Sequence, residues 1–291
     1  MRTQQEMLDL ILETARCDER IRAVIMNGSR VNPNAPRDPF QDFDIVYIVT
    51  DVSSFRQDHE WIKRFGDLMI MQLPEDMQDP PANDDESFGF LMQFMDGNRI
   101  DLGIFTFAQW KERGKDSLSL LLLDKDGIIE PFPPASEADY LPKPPTAKAF
   151  SDCCNEFWWV SPYVAKGLWR GEILYAKCLH EEVVRGAELM KMLRWHIGIE
   201  TDFQVNPGKL GKYFQRYLEP ELWEMLLKTF ADASYENTWE ALFATCNLFR
   251  KVAVSIAEHF GFQYPTEDDR RVTAHLEYVR ALPRDAKEMY P

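Results

Sequence analysis

A proline-rich segment near the middle of the chain separates two hydrophobic patterns and constrains the fold more than any other feature. Six prolines fall within fifteen residues, at positions 131, 133, 134, 142, 144 and 145. Proline fixes its own φ and lacks a backbone N–H, so such a segment continues neither a helix nor a central strand. We therefore predict a domain over residues 1–135, a linker over residues 136–146 and a second domain over residues 147–291.

Before the linker, short runs rich in β-branched and aromatic residues predict strands. These runs cover residues 21–26, 43–49, 68–73, 88–95, 99–106 and 118–123. An amphipathic face over residues 7–15 predicts one helix. Strands and helices do not alternate regularly, which favours a mixed α+β sheet, and we expect the leucine-rich run at 118–123 to lie in its core.

After the linker, the apolar residues recur with the period of a helix. The predicted helices cover residues 147–168, 170–197, 219–230, 235–260 and 267–281. The sequence therefore predicts an α+β protein, with a mixed β-sheet domain followed by a C-terminal α-helical bundle domain.

The charge balance excludes one class of partner. The chain has 48 acidic and 33 basic residues, a net charge of −15, and 27 of the acids lie in residues 1–145. Duplex binding needs a basic surface, so we expect no nucleic-acid partner and an attraction for cations. The densest acidic segment, residues 75–86, has six acids and no base, and is open to two interpretations: a solvated loop or part of a cation-binding surface.

Compartment and assembly are predicted from weaker signals. No apolar run reaches the roughly 18 residues that a membrane span needs, and the first residues do not resemble a signal peptide, so we expect a cytoplasmic protein without a membrane partner. The five cysteines form no C-x-x-C pair, which suits reduced thiols. Without a long apolar heptad pattern, a monomer is the default.

A small-residue turn follows the first predicted strand. Gly28 permits close backbone approach, and Ser29 offers a hydroxyl and an N–H at a point where a helix could begin. Both features suit a phosphate, and Arg30 adds a cationic donor beside them.

Two aspartates follow twelve residues later. In a strand, positions i and i+2 share a face, so Asp42 and Asp44 are expected to project together. Adjacent carboxylates repel each other unless a cation neutralises them, and Mg²⁺ combines a few carboxylates with phosphate oxygens. The alternative is a solvated strand edge.

A third aspartate lies in a later predicted strand. Asp101 alternates with the apolar residues Ile100, Leu102 and Ile104, and a lone buried carboxylate is costly unless it is paired or metal-bound. If this strand lies beside residues 42–44, three carboxylates converge. Such a cluster could hold two metal ions that assist an in-line phosphoryl displacement.

In this order, these residues resemble the nucleotidyltransferase superfamily of the DNA polymerase β type, with its Gly-Ser, Asp-x-Asp and third carboxylate. Three longer stretches, residues 27–34, 38–47 and 157–168, resemble the aminoglycoside 6-adenylyltransferases, a streptomycin-modifying family. The likeness extends over nearly the whole chain and includes its two-domain layout, with an N-terminal nucleotidyltransferase domain.

The resemblance implies Mg²⁺-dependent transfer of AMP from ATP to a hydroxyl of streptomycin, with release of pyrophosphate. Asp42 and Asp44 match the metal-binding pair, and Asp101 matches the third carboxylate, which binds metal and takes the hydroxyl proton. Gly28 and Ser29 match the phosphate-holding turn. The phosphate-binding role of Arg30 is inferred from its charge and position.

The helical domain is expected to bind both substrates. Lys166 and Arg170 share a helix face with Tyr163 and are candidates for the triphosphate, the alternative being a solvated basic face. For the guanidinium groups of streptomycin the candidates are carboxylates and aromatic rings; the alternatives are surface acids and core aromatics. These acceptor-binding candidates are Trp159, Tyr163, Glu172, Glu181 and Glu182.

Two other functional classes stay open. The chemistry could serve another acceptor, such as a different aminoglycoside, a lincosamide or a protein hydroxyl. Alternatively, the chain could bind a nucleotide or antibiotic without turnover, although three intact carboxylates argue against it. Template-directed polymerisation is disfavoured because a chain this acidic lacks a basic channel.

Overall fold

The computed structural model describes residues 1–77, 79 and 87–290. The chain divides into two compact units, residues 1–139 and 140–291, and the division falls inside the proline-rich segment. A 3₁₀ turn, Ala138–Tyr140, lies at that division. The domain limits drawn from the sequence, 135 and 147, stay predictions.

The first unit is built on a six-stranded sheet in the order β3-β4-β5-β2-β1-β6. Its strands are β1 (Ile21–Asn27), β2 (Phe43–Val49), β3 (Leu68–Gln72), β4 (Ser87–Phe94), β5 (Arg99–Thr106) and β6 (Ser119–Asp124). The pair β2 and β5 is parallel, and the other neighbouring strands are antiparallel. This confirms the predicted mixed sheet.

One face of the sheet is covered by α1, residues Gln4–Cys17. Thr3 and Glu6 form a reciprocal capping box at its start, which satisfies backbone donors that a helix leaves unpaired. Met7 and Ile11 pack onto alternate residues of β2 and β5 in the main core of this unit.

The opposite face carries a smaller core. Ile25 and Ile48 of the sheet pack there with Phe107 and Trp110 of α3, residues Phe107–Arg113. Shorter helices connect the strands: α2 at Ser53–Arg56 and 3₁₀ helices at Gly28–Arg30, His59–Phe65 and Pro74–Met77.

The prediction that residues 118–123 lie in the core is confirmed only in part: Leu121, Leu122 and Leu123 are partly buried and pack against the two cores of the unit. Leu118 is buried, but β6 is an edge strand that pairs only with β1 among the described strands, and Leu120 is 46% exposed. An edge strand has one neighbour in the sheet, so fewer of its side chains are covered than its composition suggests.

The described part of the acidic segment is tied to the fold. Glu75 accepts a hydrogen bond from the backbone of Gly89 in β4, and Asp76 lies 2.8 Å from the Arg56 guanidinium. Residues 78 and 80–86, with three of the six acids, lie outside the described residues.

The second unit is the predicted α-helical bundle. Its helices are α4 (Ala147–Arg170), α5 (Ile173–Cys178), a π-helix (Leu179–Leu189), α6 (Met190–Glu200), a 3₁₀ turn (Lys209–Gly211), α7 (Phe214–Tyr217), α8 (Pro220–Leu227), α9 (Tyr235–Phe260) and α10 (Thr266–Ala281). In the core, the rings of Phe157 in α4 and Phe249 in α9 stack with centroids 3.7 Å apart.

The prediction of one helix over residues 170–197 differs from the structure. Helix α4 continues to Arg170 and ends at Gly171, whose left-handed conformation stops it. The helical path that follows is π-helical in its middle, a change of hydrogen-bond register that apolar periodicity does not reveal. None of the described helices combines the length and the apolar character required to cross a membrane.

Candidate active site

Three aspartates meet at one end of the sheet in the first unit. Asp44 in β2 is directly opposite Asp101 in the parallel strand β5. Their apolar neighbours face the main core, so strand alternation turns both carboxylates to the other face. Together with Asp42, each offers an oxygen within 4.8 Å of the other two. The structure thus brings together the three carboxylates singled out in the sequence.

Asp42 is not part of the strand, which corrects one element of the prediction. Strand β2 begins at Phe43, and the backbone of residues 41 and 42 is held by Arg30. The Arg30 guanidinium donates to the carbonyl oxygens of Gln41 and Asp42, at 2.5 and 2.8 Å, and lies 3.7 Å from the centre of the Phe43 ring.

These contacts differ from the phosphate contact that the sequence predicted for Arg30, which stays a prediction. Its side chain is buried, and burial lowers the pKa of the guanidinium. Its donors serve the backbone that positions Asp42, so the structure does not present them as free phosphate ligands. Arg30 therefore holds the backbone that carries Asp42.

The position of the Asp44 carboxylate leaves no room for a side chain at residue 28. Its φ is +74°, and a Cβ placed on it would lie 2.1 Å from Oδ2 of Asp44. Any larger residue would therefore displace that carboxylate. The expected helix after Ser29 is only a single 3₁₀ turn, Gly28–Arg30, so a helix dipole contributes little at this turn.

The electrostatics of the cluster are those of an incompletely neutralised site. Burial first, and then the charges of Asp42 and Asp101, together raise the pKa of Asp44 to about 7. Among the described residues, we find no hydrogen-bond donor to its carboxylate. Like charges held this close destabilise the fold unless a cation or proton is added.

Arg99 is the site residue that sequence analysis missed. Its guanidinium binds both oxygens of Asp101, each at 2.7 Å, and lies 4.0 Å from Asp42. The signal was present, because Arg99 and Asp101 are two residues apart in a strand and share a face. In the part of the chain that the structure describes, the Arg99 guanidinium thus lies within 4.0 Å of two of the three carboxylates.

The donor set fits a hard divalent cation. All three groups offer carboxylate oxygens, and two of them, Asp42 and Asp101, keep 33% and 22% of their side-chain surface exposed. Mg²⁺ binds a small number of carboxylates and keeps positions for water or phosphate oxygens. The cluster therefore has the chemistry of a metal-assisted phosphoryl-transfer site.

In the second unit, part of the predicted set lines one cavity. Tyr163, Lys166 and Arg170 of α4 surround a space of about 500 Å³. The Lys166 ammonium lies 4.5 Å from the centre of the Tyr163 ring and 6.0 Å from that of Tyr175.

The other predicted residues of this unit do not line that cavity. Glu181 forms an ion pair with Lys177, 2.8 Å apart, and Glu182 accepts a hydrogen bond from the Cys178 thiol and raises its pKa. Glu172 precedes α5 and is exposed. Trp159 is 63% exposed, so the alternative that it is a core residue is wrong.

Comparison with known proteins identifies relatives over almost the full length. Residues 1–279 match the model of a family described as streptomycin adenylyltransferase. An aminoglycoside 6-adenylyltransferase from Bacillus subtilis (strain 168) is 42% identical over 271 residues, covering 92% of this chain and 95% of the relative. One of the same name from Campylobacter jejuni is also 42% identical, with 93% of each chain covered.

Two further relatives carry similar names. An aminoglycoside 6-adenylyltransferase from Staphylococcus aureus is 35% identical and covers 91% of this chain and 94% of its own. A crystal structure of an aminoglycoside 6-adenyltransferase from Bacillus subtilis is 38% identical, with 97% of this chain and 100% of that chain covered and a TM-score of 0.48.

Proposed function

The chain belongs to the streptomycin adenylyltransferase family and is a nucleotidyltransferase, and on this premise we propose that it transfers AMP from ATP to a hydroxyl group of streptomycin. The observation that carries the proposal is the cluster of Asp42, Asp44 and Asp101 beside the Gly28 turn. Family membership supports adenylyl transfer, and the three carboxylates are the groups that would bind the metal ion for this reaction.

The proposed reaction is an in-line displacement at the α-phosphorus of ATP. The acceptor hydroxyl oxygen forms a bond to phosphorus, the bond between phosphorus and the pyrophosphate oxygen breaks, and pyrophosphate leaves. Asp101 accepts the hydroxyl proton, since a positioned carboxylate removes a proton effectively when held within reach of it. Mg²⁺ held by Asp42, Asp44 and Asp101 would supply positive charge against the triphosphate.

Arg99 sets a condition on this mechanism. Both oxygens of Asp101 accept a hydrogen bond from Arg99, so the guanidinium competes with a substrate hydroxyl or a cation for these oxygens. The Arg99 side chain is 46% exposed and has room to move away. We therefore include in the proposal that Arg99 releases Asp101 when the substrates bind.

The acceptor class follows from charge. The chain carries a net charge of −15, which favours a polycation such as an aminoglycoside over an anionic acceptor. Glu172, Glu181, Glu182 and the exposed Trp159 remain proposed contacts for its guanidinium groups. All five cysteines are free thiols, which supports a cytoplasmic location, where ATP is also available.

An acceptor panel tests the proposal. Purified protein is incubated with Mg²⁺ and ATP and with streptomycin, a second aminoglycoside, a lincosamide or a protein substrate. Mass spectrometry detects an added AMP, and a coupled assay measures pyrophosphate. We expect one AMP on streptomycin and one equivalent of pyrophosphate. Adenylylation of a different acceptor would show that streptomycin is not the substrate. ATP binding without pyrophosphate release would show that the protein binds nucleotide but is not an adenylyltransferase.

A further inference from the structure

The second unit contains a group of metal-ligating side chains of its own. His196 and Glu200 lie on α6, and Glu219 immediately precedes α8. Each offers one ligand atom, a ring nitrogen or a carboxylate oxygen, and these three atoms all lie within 4.8 Å of one another. All three residues belong to the helical unit, so the fold of that unit alone determines their geometry. We call this group the His–Glu cluster.

Two of its members come from the last turns of α6. His196 and Glu200 are four residues apart, a spacing that places two side chains next to each other on one face of a helix. The Thr201 hydroxyl donates to the Ile197 carbonyl at 2.7 Å, which holds the chain at the end of this helix. The pair is therefore carried by a helix and a fixed helix end.

The third member is held at the start of α8. Pro220 occupies the first turn of that helix, and the carbonyl of Glu219 accepts a hydrogen bond from the backbone of Trp223 at 3.0 Å. The side chain of Glu219 does not cap α8. Its Oε2 instead lies 3.2 Å from Nε2 of His196, so the carboxylate reaches from one helix to the other.

The imidazole is buried and only partly satisfied. His196 is 6% exposed, and its Nδ1 has no hydrogen-bond partner among the described residues. An imidazole has two ring nitrogens that donate or accept, and buried polar atoms normally find partners. The protein therefore leaves part of the binding capacity of this ring unused.

The two carboxylates are not neutralised by basic side chains. In the described chain, neither Glu200 nor Glu219 has a lysine or arginine nitrogen within 4.0 Å. Lys251 of α9 is paired with Glu221 instead, 2.6 Å apart. Because Glu200 and Glu219 are exposed, a cation can reach their oxygens from solvent.

We propose that the His–Glu cluster binds a divalent transition-metal ion, with Zn²⁺ as the best match. Zn²⁺ combines imidazole nitrogen with carboxylate oxygen, whereas Mg²⁺ takes oxygen ligands. Three protein ligands leave one tetrahedral position for water. The ion joins the end of α6 to the start of α8, so its binding stabilises the helical unit.

The first test is calorimetric titration of the full, metal-free chain with Zn²⁺ in excess Mg²⁺, which competes for the aspartate cluster of the other unit. Glu200→Gln removes an exposed ligand, and His196→Gln removes the nitrogen ligand. Glu258→Gln, at an exposed glutamate of α9, is the matched control. We expect Zn²⁺ to bind at least 10-fold more weakly to the first two variants and unchanged to the control.

The second test identifies the ligands by pulsed electron paramagnetic resonance with one equivalent of Cu²⁺. An imidazole nitrogen gives a hyperfine coupling that carboxylate oxygens do not give. We expect this coupling in wild type and in Asp44→Asn and its loss in His196→Gln. His259→Gln, at an exposed histidine of α9, is the control and should retain it.

Two results would overturn the proposal. One is equal Zn²⁺ affinity of wild type, Glu200→Gln and His196→Gln. The other is Zn²⁺ binding that Asp44→Asn abolishes and Glu200→Gln leaves intact, which would place the ion in the sheet unit. Circular dichroism verifies folding, and if His196→Gln does not fold, the exposed Glu200→Gln decides. None of these measurements requires turnover, so the loss of adenylyl transfer and the loss of this inference are told apart.

Discussion

Asp269 in the helical unit is buried and Asp44 in the sheet unit is half-buried, and among the described residues the fold supplies hydrogen-bond donors only to the first. Arg250 binds both oxygens of Asp269, each at 2.6 Å, and Tyr264 and Thr273 donate to it at 2.7 and 3.0 Å. Burial alone would raise the pKa of Asp269, and these hydrogen bonds outweigh burial and lower it.

Asp44 has the opposite environment. Burial and two neighbouring carboxylates act in the same direction and raise its pKa to about 7. A carboxylate that stabilises the fold is expected to receive hydrogen bonds from the protein. A carboxylate that binds a ligand is expected to lack such donors until the ligand is bound. On this comparison we propose that Asp269 stabilises the fold and that Asp44 binds a ligand, and each proposal can be tested by the same Asp-to-Asn change.

The largest expected effect is on turnover. Asp44→Asn keeps the shape of the side chain but removes the charge that holds a cation, and we expect adenylyl transfer to fall by about 10³-fold or more, which corresponds to roughly 4 kcal/mol. Asp9→Asn, an exposed change in α1, is the control. The measurement is pyrophosphate release at saturating ATP and streptomycin; turnover within tenfold of wild type would contradict the assignment.

The same change at Asp269 should act on stability instead. Asp269→Asn leaves the Arg250 guanidinium, 33% exposed, without its carboxylate, and we expect a loss of about 2–4 kcal/mol of unfolding free energy. Urea unfolding monitored by tryptophan fluorescence measures it, with the exposed neighbour Asp268→Asn as control. Equal stability of the two variants would show that the buried ion pair contributes nothing.

The pH dependence of stability should differ in sign between the two aspartates. The lowered pKa of Asp269 gives stability that is present above its ordinary pKa of 3.8 and is lost as the pH falls below it. The raised pKa of Asp44 gives stability that is present below 3.8 and is lost as the pH rises toward 7.

Asp44→Asn should therefore stabilise the metal-free protein at pH 8. We expect a gain of about 2 kcal/mol over wild type, since the variant no longer holds a third negative charge in the cluster. Urea unfolding in EDTA at pH 4 and pH 8 measures the difference. A variant no more stable than wild type at pH 8 would mean that the three carboxylates do not strain the fold.

The smallest predicted effect concerns Arg99. Its guanidinium and a cation compete for the same oxygens of Asp101, so Arg99→Gln should lower the Mg²⁺ concentration for half-maximal rate about threefold. Arg16→Gln, an exposed arginine of α1, serves as the control. A higher Mg²⁺ requirement in Arg99→Gln would instead make Arg99 a supporting residue of the metal site.

The features that were predicted correctly from the sequence are those that depend on short stretches of the chain. Strands 43–49 and 99–106 and helix 235–260 were predicted with their observed limits, because alternation and helical period are local properties. The meeting of Asp44 and Asp101 followed from the same alternation once β2 and β5 were assumed to be neighbours, whereas Asp42 lies just before β2. Family resemblance, now confirmed, added the reaction class.

The contacts of Arg30 and Arg99 were not predicted from the sequence. Arg30 binds backbone carbonyls eleven and twelve residues away, and its charge alone suggested a phosphate. The edge position of β6 and the π-helix at 179–189 depend on strand order and hydrogen-bond register, which composition does not encode. Gly28 was recognised as a close-approach residue, but the group that approaches it is the Asp44 carboxylate of the protein itself.

The most direct test of the carboxylate cluster is equilibrium binding of Mn²⁺, a paramagnetic substitute for Mg²⁺, measured by electron paramagnetic resonance of the free ion in the absence of nucleotide. Wild type and Asp269→Asn are expected to share the same tightest class of Mn²⁺ sites, and Asp44→Asn and Asp101→Asn are expected to weaken that class at least 10-fold. Identical Mn²⁺ binding by wild type, Asp44→Asn and Asp101→Asn would contradict the claim that these carboxylates form a metal centre.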